Sequence, residues 1–130
     1  MIRFVGAAED SAITTSLPAP FDKFLLKNGE VRTTWADAET ACMALKGHLV
    51  TITSAAEQAF VASIAGPDAW IGAFQGAGEG TWFWSTGERW DFTAWGTNQP
   101  DDAGGNEDCA HVSAATGLWN DRACTARLPY

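Results

Sequence analysis

The residues with most chemistry to offer lie between Gln99 and Cys109, in the run Gln-Pro-Asp-Asp-Ala-Gly-Gly-Asn-Glu-Asp-Cys, and again at Trp119-Asn120-Asp121. Asp101, Asp102, Glu107, Asp108 and Asp121 supply carboxylates, and Gln99 and Asn120 supply amide oxygens. Such a set suits calcium, which takes six to eight oxygens at about 2.3–2.6 Å. It suits zinc poorly, because no histidine or free thiolate belongs to the cluster. The amides add something carboxylates lack: each keeps an NH₂ donor that can point at a bound partner. Two blander readings compete. Acidic runs are usually solvated loops, but the Trp-Asn-Asp segment and the cysteine spacing then go unexplained. Asp101 and Glu107 could serve as acid and base of a glycosidase. That role needs one acid with a raised pKa in a cleft, and five crowded acids sharing one cation are the wrong setting. With no nucleophile or cofactor loop besides, the chain does not read as an enzyme.

These residues sit in a chain of 130 residues, one domain's worth, with 46% apolar residues and seven tryptophans. That composition builds a packed globule. The net charge of −8 argues against nucleic acid and anionic membrane surfaces, which need clustered Lys and Arg. No apolar run approaches the roughly twenty residues of a membrane span. The start, Met-Ile-Arg-Phe-Val-Gly-Ala-Ala-Glu-Asp, is not a signal peptide, since its apolar stretch is short and interrupted by acids. There are three cysteines. A bridge between Cys109 and Cys124 would close a loop of about 15 residues, worth on the order of 3 kcal/mol. Cys42 is then left as a buried thiol or as half of a bridge whose partner lies beyond Tyr130.

The pattern along the chain positions the acidic loop. Residues 1–20 read as a loose lead-in, and Phe21 to Leu26 as a strand ended by Asn28-Gly29. Trp35, Ala38, Cys42 and Leu45 recur at helical spacing, so a helix is expected over 34–45, stopped by Gly47. His48 to Ile52 reads as a short strand. Ser54-Ala-Ala-Glu57 is a capping box, opening a second helix from about 55 to 64 that ends at Gly66-Pro67. Strands are then expected at 69–73, 81–84, 109–113 and 118–120, with a last one within 122–130. The stretch from Ser85 to Asn106 lacks regular pattern, and so long a connection inside a compact domain is usually functional. The class is α+β. Trp70, Trp82 and Trp84 read as core, Trp119 as packing beneath the acidic loop, and His48 and His111 as structural histidines.

In this order and spacing the pieces resemble the C-type lectin-like domain. They are the helix carrying Cys42, Gly-His-Leu-Val at 47–50, Trp-Ile-Gly at 70–72, Gly-Thr-Trp-Phe-Trp at 80–84, Gln-Pro-Asp at 99–101, Asn-Glu-Asp-Cys at 106–109, Trp-Asn-Asp at 119–121, and Cys124. The resemblance covers about Trp35 to Tyr130. It implies two helices, a small sheet and a long ligand-binding loop region. It implies that Cys109 pairs with Cys124, and that Cys42 pairs with a cysteine just past Tyr130, so that the chain stops early. A domain lacking that bridge would be less stable by on the order of 2–5 kcal/mol.

The resemblance also implies a site. Gln99, Asp101, Glu107, Asn120 and Asp121 match the family's principal Ca²⁺ ligands, with the Gln99–Pro100 bond cis and both flanking side chains turned toward one ion. Two neighbouring sugar hydroxyls would coordinate the calcium, donate to carboxylates and accept from amides, so the same five residues would bind carbohydrate. Members with Gln-Pro-Asp tend to take galactose or N-acetylgalactosamine. Here the following stretch, Asp102-Ala-Gly-Gly-Asn106, lacks the aromatic ring that stacks on galactose. A monosaccharide should therefore bind weakly, around millimolar or about 4 kcal/mol, and useful avidity would need several copies, through oligomerisation or a larger parent protein. Glu79, Asp102, Glu107 and Asp108 match an auxiliary metal site, with Gln75 where the family has an acid. An extracellular or cell-surface location follows from the resemblance, as does the alternative function: a lectin-like protein–protein interaction module with calcium structural or absent.

Overall fold

The structure is a computed structural model and describes residues 32–64, 68–77 and 80–130. The expected lead-in, the strand at 21–26, the Gly66-Pro67 stop and Glu79 lie outside these residues. Helix α1 spans Trp35–Ala44 and α2 Ala55–Ile64. Strands β1 (Ala69–Gln75), β2 (Trp82–Trp84), β3 (Cys109–Val112) and β4 (Trp119–Arg122) form one antiparallel sheet in the order β2-β1-β3-β4. The α+β class expected from the sequence is the class observed.

Each helix begins where its cap dictates. Thr34 Oγ1 accepts the N–H of Asp37 at 3.3 Å, satisfying one of the donors that open α1. Ser54 Oγ accepts the N–H of Glu57 at 3.1 Å. The Glu57 carboxylate reaches back one residue further than a simple capping box, to the N–H (2.9 Å) and hydroxyl (3.0 Å) of Thr53. Ala38 and Cys42 form the fully buried face of α1, packed with Leu49, Trp70, Cys109, Leu128 and Tyr130. A second cluster joins Val61 of α2 to Ile71, Trp82, Trp84, Val112 and Trp119 of the sheet.

Two expected strands are corrected. His48 to Ile52 is not a strand: Leu49 is a bend, and side chains take its backbone groups. The N–H of Leu49 donates to Glu39 Oε2 (3.0 Å), and Nδ1 of His48 lies 2.6 Å from the Leu49 carbonyl. Of the segment 122–130 only Arg122 belongs to a strand. The rest closes the domain by single backbone bonds: Leu128 and Thr33 exchange two at 3.0 Å, and the Trp70 N–H donates to Pro129 O at 2.9 Å. The N–H of Gly72 donates to Val50 O (2.9 Å) and its carbonyl accepts from Ser85 N (2.8 Å).

That close approach explains the glycine of Trp70-Ile71-Gly72. A Cβ there would stand 3.1 Å from the Leu49 carbonyl oxygen and 3.2 Å from that of Val50, both fixed backbone atoms. We expect Gly72→Ala to cost about 1–3 kcal/mol, as overpacking in a dense interior does. Equilibrium denaturation measures it, and an unchanged midpoint would contradict this account of the 48–52 segment.

Candidate functional site

The irregular stretch after β2 is held by aromatic packing. Trp84 lies 4.8 Å from Trp90 and 5.4 Å from Trp119, Trp82 lies 4.9 Å from Trp95, and Trp95 lies 5.7 Å from Trp119, ring centre to ring centre. Trp119 is completely buried, and its indole N–H donates to Gln58 Oε1 of α2 at 2.8 Å. Residues 94–96 lie along the start of β4: the Trp119 N–H donates to Ala94 O (2.9 Å), and the Gly96 N–H donates to Trp119 O (2.8 Å). A turn closed by Gln99 N–H to Gly96 O (3.0 Å) then delivers Gln99 beside Asn120. The Gln99–Pro100 bond is cis. The disulfide Cys109–Cys124 ties the start of β3 to the chain just past β4.

The acidic loop closes over this frame. The carboxylate of Asp121, 1% exposed, accepts the N–H of Asp101 at 3.1 Å and that of Asp102 at 2.7 Å, one on each oxygen. Glu107 Oε1 accepts the Ala103 N–H (3.1 Å), and Asp102 Oδ1 accepts the Glu107 N–H (2.9 Å). Asp101, Glu107 and Asp121 thereby bring carboxylate oxygens within 4.8 Å of one another. Gln99 completes the group. With Nε2 turned inward, it donates to Oδ1 of Asn120 (2.6 Å), Asp121 (2.8 Å) and Asp101 (3.2 Å). Turned the other way, it presents its oxygen at the same point. All five residues expected to form the principal site therefore converge.

The auxiliary set is gathered less closely. Asp102 and Asp108 are not part of the three-acid cluster, and among the described residues no second cluster of three such groups occurs. Asp102 takes a left-handed conformation (φ 47°) at the entry to the 3-10 turn Ala103–Gly105. The backbone carbonyl of Asp108 accepts the Gln75 N–H at 2.7 Å.

Electrostatics mark the same point. Burial raises the carboxyl of Asp121 above its ordinary value, against the pull of its two backbone N–H partners. Glu107 is raised too, by burial first and then by the neighbouring charges of Asp121 and Asp101, with the Ala103 N–H opposing. His111, fully buried on β3 beside Asn120, is lowered by burial and stays neutral at pH 7, its Nδ1 3.2 Å from the Val112 carbonyl. The sequence pointed to neither Gln58 nor Glu39. Gln58 also donates to Gly117 O at 2.7 Å, and Glu39 holds both Leu49 and the Ser85 hydroxyl (3.2 Å). Their partners lie 10 to 61 residues away, so no local pattern announces them.

Residues 31–130 match the lectin C-type domain family. The chain belongs to that family. A C-type lectin domain is a non-enzymatic module, and its members bind carbohydrate as a class. This one is 33% identical over 102 residues to the galactose-specific lectin nattectin of Thalassophryne nattereri, covering 74% of this chain and 64% of that protein. It superposes on the C-type carbohydrate-recognition domain of cow CD23, solved in the presence of a GlcNAc2Man3 oligosaccharide, with TM-score 0.72 and 36% identity over 77% of this chain and 78% of that one. It also superposes on a calcium-independent type II antifreeze protein, with TM-score 0.70 and 31% identity over 75% of each chain. The chain spans less than two thirds of the length of the curated relatives it matches, 64% in the case of nattectin.

The raised carboxyl of Glu107 has a signed consequence. A folded-state value above the unfolded one contributes stability that is complete below the unfolded pKa and is lost as pH rises through the folded one. With divalent cations chelated, Glu107→Gln, which keeps an oxygen for the Ala103 N–H, should melt at a higher temperature than the parent at pH 7. It should lose that advantage near the ordinary carboxylate range, about pH 4. An advantage that does not vary with pH would contradict the crowding of these acids.

Proposed function

We propose that this C-type lectin domain binds one calcium ion through Gln99, Asp101, Glu107, Asn120 and Asp121, and through that ion binds sugars of the galactose type. The observation that carries the reading is the convergence of three carboxylates within 4.8 Å with two amides at their edge. A hard divalent cation turns their mutual repulsion into attraction and matches an all-oxygen donor set. Each amide that gives its oxygen to the ion keeps an NH₂ for a sugar oxygen, and each carboxylate accepts from a sugar hydroxyl. A vicinal diol meets both needs at once. The order Gln99-Pro100-Asp101 favours a galactose-type arrangement of that diol, a preference in keeping with nattectin's description as galactose-specific.

The natural partner is then a glycan displayed outside the cell, where the Cys109–Cys124 disulfide is also at home. Among the described residues no helix is long and apolar enough to cross a membrane. The likeness to a calcium-independent antifreeze protein supports the second reading, a lectin-like surface for protein with calcium structural or absent.

Retention on immobilised galactose separates the two. The domain should bind in millimolar calcium, elute with chelator or on acidification toward pH 5, and be displaced by free galactose far better than by mannose. Retention that survives chelator, or mannose displacing as well as galactose, would overturn the proposal.

A further inference from the structure

Beside the acidic cluster lies a recess of about 250 Å³ that borders Gln99 and Asn120 but none of the three clustered carboxylates. The rest of its lining is Gly96, Thr97, Ser113, Thr116, Leu118 and Trp119. We propose that this recess is a second sugar subsite, holding one neutral pyranose ring linked to the galactose-type ring at the cluster. The inference rests on the function proposed above and names its ligand as an oligosaccharide.

Size, chemistry and rigidity support it. The volume falls just below the roughly 300–1,000 Å³ of pockets that enclose drug-sized ligands, which suits a single ring. No charged residue lines it, so it offers nothing to a sialic acid carboxylate or a sulfate, and the chain's net charge of −8 works against such anions besides. Three hydroxyls can each donate and accept, and Leu118, at 36% exposed, presents an apolar surface to a ring's C–H face.

The walls are fixed before any ligand arrives. Gly96 is bonded to Trp119 O (2.8 Å). Gly117, between the lining residues Thr116 and Leu118 and in a left-handed conformation (φ 74°), is bonded to Ser113 O (2.8 Å) and to the Gln58 amide (2.7 Å). Thr116 Oγ1 accepts the Leu118 N–H at 3.2 Å. Little ordering cost then remains on binding. The recess also lies on the amide side of the site, whereas the glycine-rich stretch that lacks an aromatic ring lies on the carboxylate side, so a second ring here would recover affinity that galactose alone does not find.

The test is calorimetric titration in calcium of galactose, N-acetylgalactosamine and a panel of neutral disaccharides carrying non-reducing galactose in β1-3, β1-4 and α1-4 linkage. At least one disaccharide should bind about tenfold more tightly than galactose, a gain of about 1.4 kcal/mol. Leu118→Ala and Thr97→Val, both at exposed positions, should erase that gain and leave galactose affinity as it was. Galactose bound with no disaccharide tighter, or a gain confined to N-acetylgalactosamine, overturns the second subsite while leaving the galactose reading intact. No binding of any sugar overturns both.

Discussion

Three carboxylates held within 4.8 Å of one another set the terms for everything around them. Two unit charges at that distance repel by about 3 kcal/mol at an effective dielectric near 20, less where water screens them. Asp121 is buried beneath the other two and cannot relax into solvent. The fold tolerates the arrangement through backbone dipoles: the N–H groups of Asp101 and Asp102 point at Asp121, and that of Ala103 points at Glu107. These bonds shape the loop and partly neutralise it. The calcium ion of the proposed function would complete the neutralisation, so ion binding and loop order should rise and fall together.

Such a cluster needs a stiff base. Trp119 precedes Asn120 and Asp121 on β4, and its indole is gripped by other aromatic rings and by Gln58. The chain from 94 to 96 is bonded backbone to backbone with Trp119 of β4, and the Gln99 amide and the Trp95 ring add side-chain contacts to Asn120, Asp121 and Trp119. The disulfide closes the other end of the β3–β4 pair. The irregular region between β2 and β3 is thus a braced platform, with its regular hydrogen bonding replaced by indole packing and carboxylate–amide contacts.

Much of this was legible in the chain, for local reasons. Ser54 with Glu57, the spacing of Ala38 and Cys42, and the short apolar and aromatic runs of the strands act within a few residues, so pattern alone located both helices and four strands. The candidate site residues stood out because oxygen donors crowd into 99–108 and recur at 120–121, and the family resemblance supplied the cis bond and the cysteine pairing. Failures came where a distant side chain overrode the local pattern. Glu39 and His48 took the backbone groups of Leu49, so 48–52 did not become a strand. Gln58 carried no signal, because a glutamine in a helix is ordinary until its partner 61 residues away is known.

The central claim is that Asp101, Glu107 and Asp121, with Gln99 and Asn120, form one calcium site. Calorimetric titration of the purified domain with calcium at pH 7, beside Asp121→Ala, tests it most directly. The account predicts one ion bound per domain and loss of that binding in the variant, whose cluster has lost its buried carboxylate. Absence of saturable binding in the parent, or equal affinity in the variant, would contradict it.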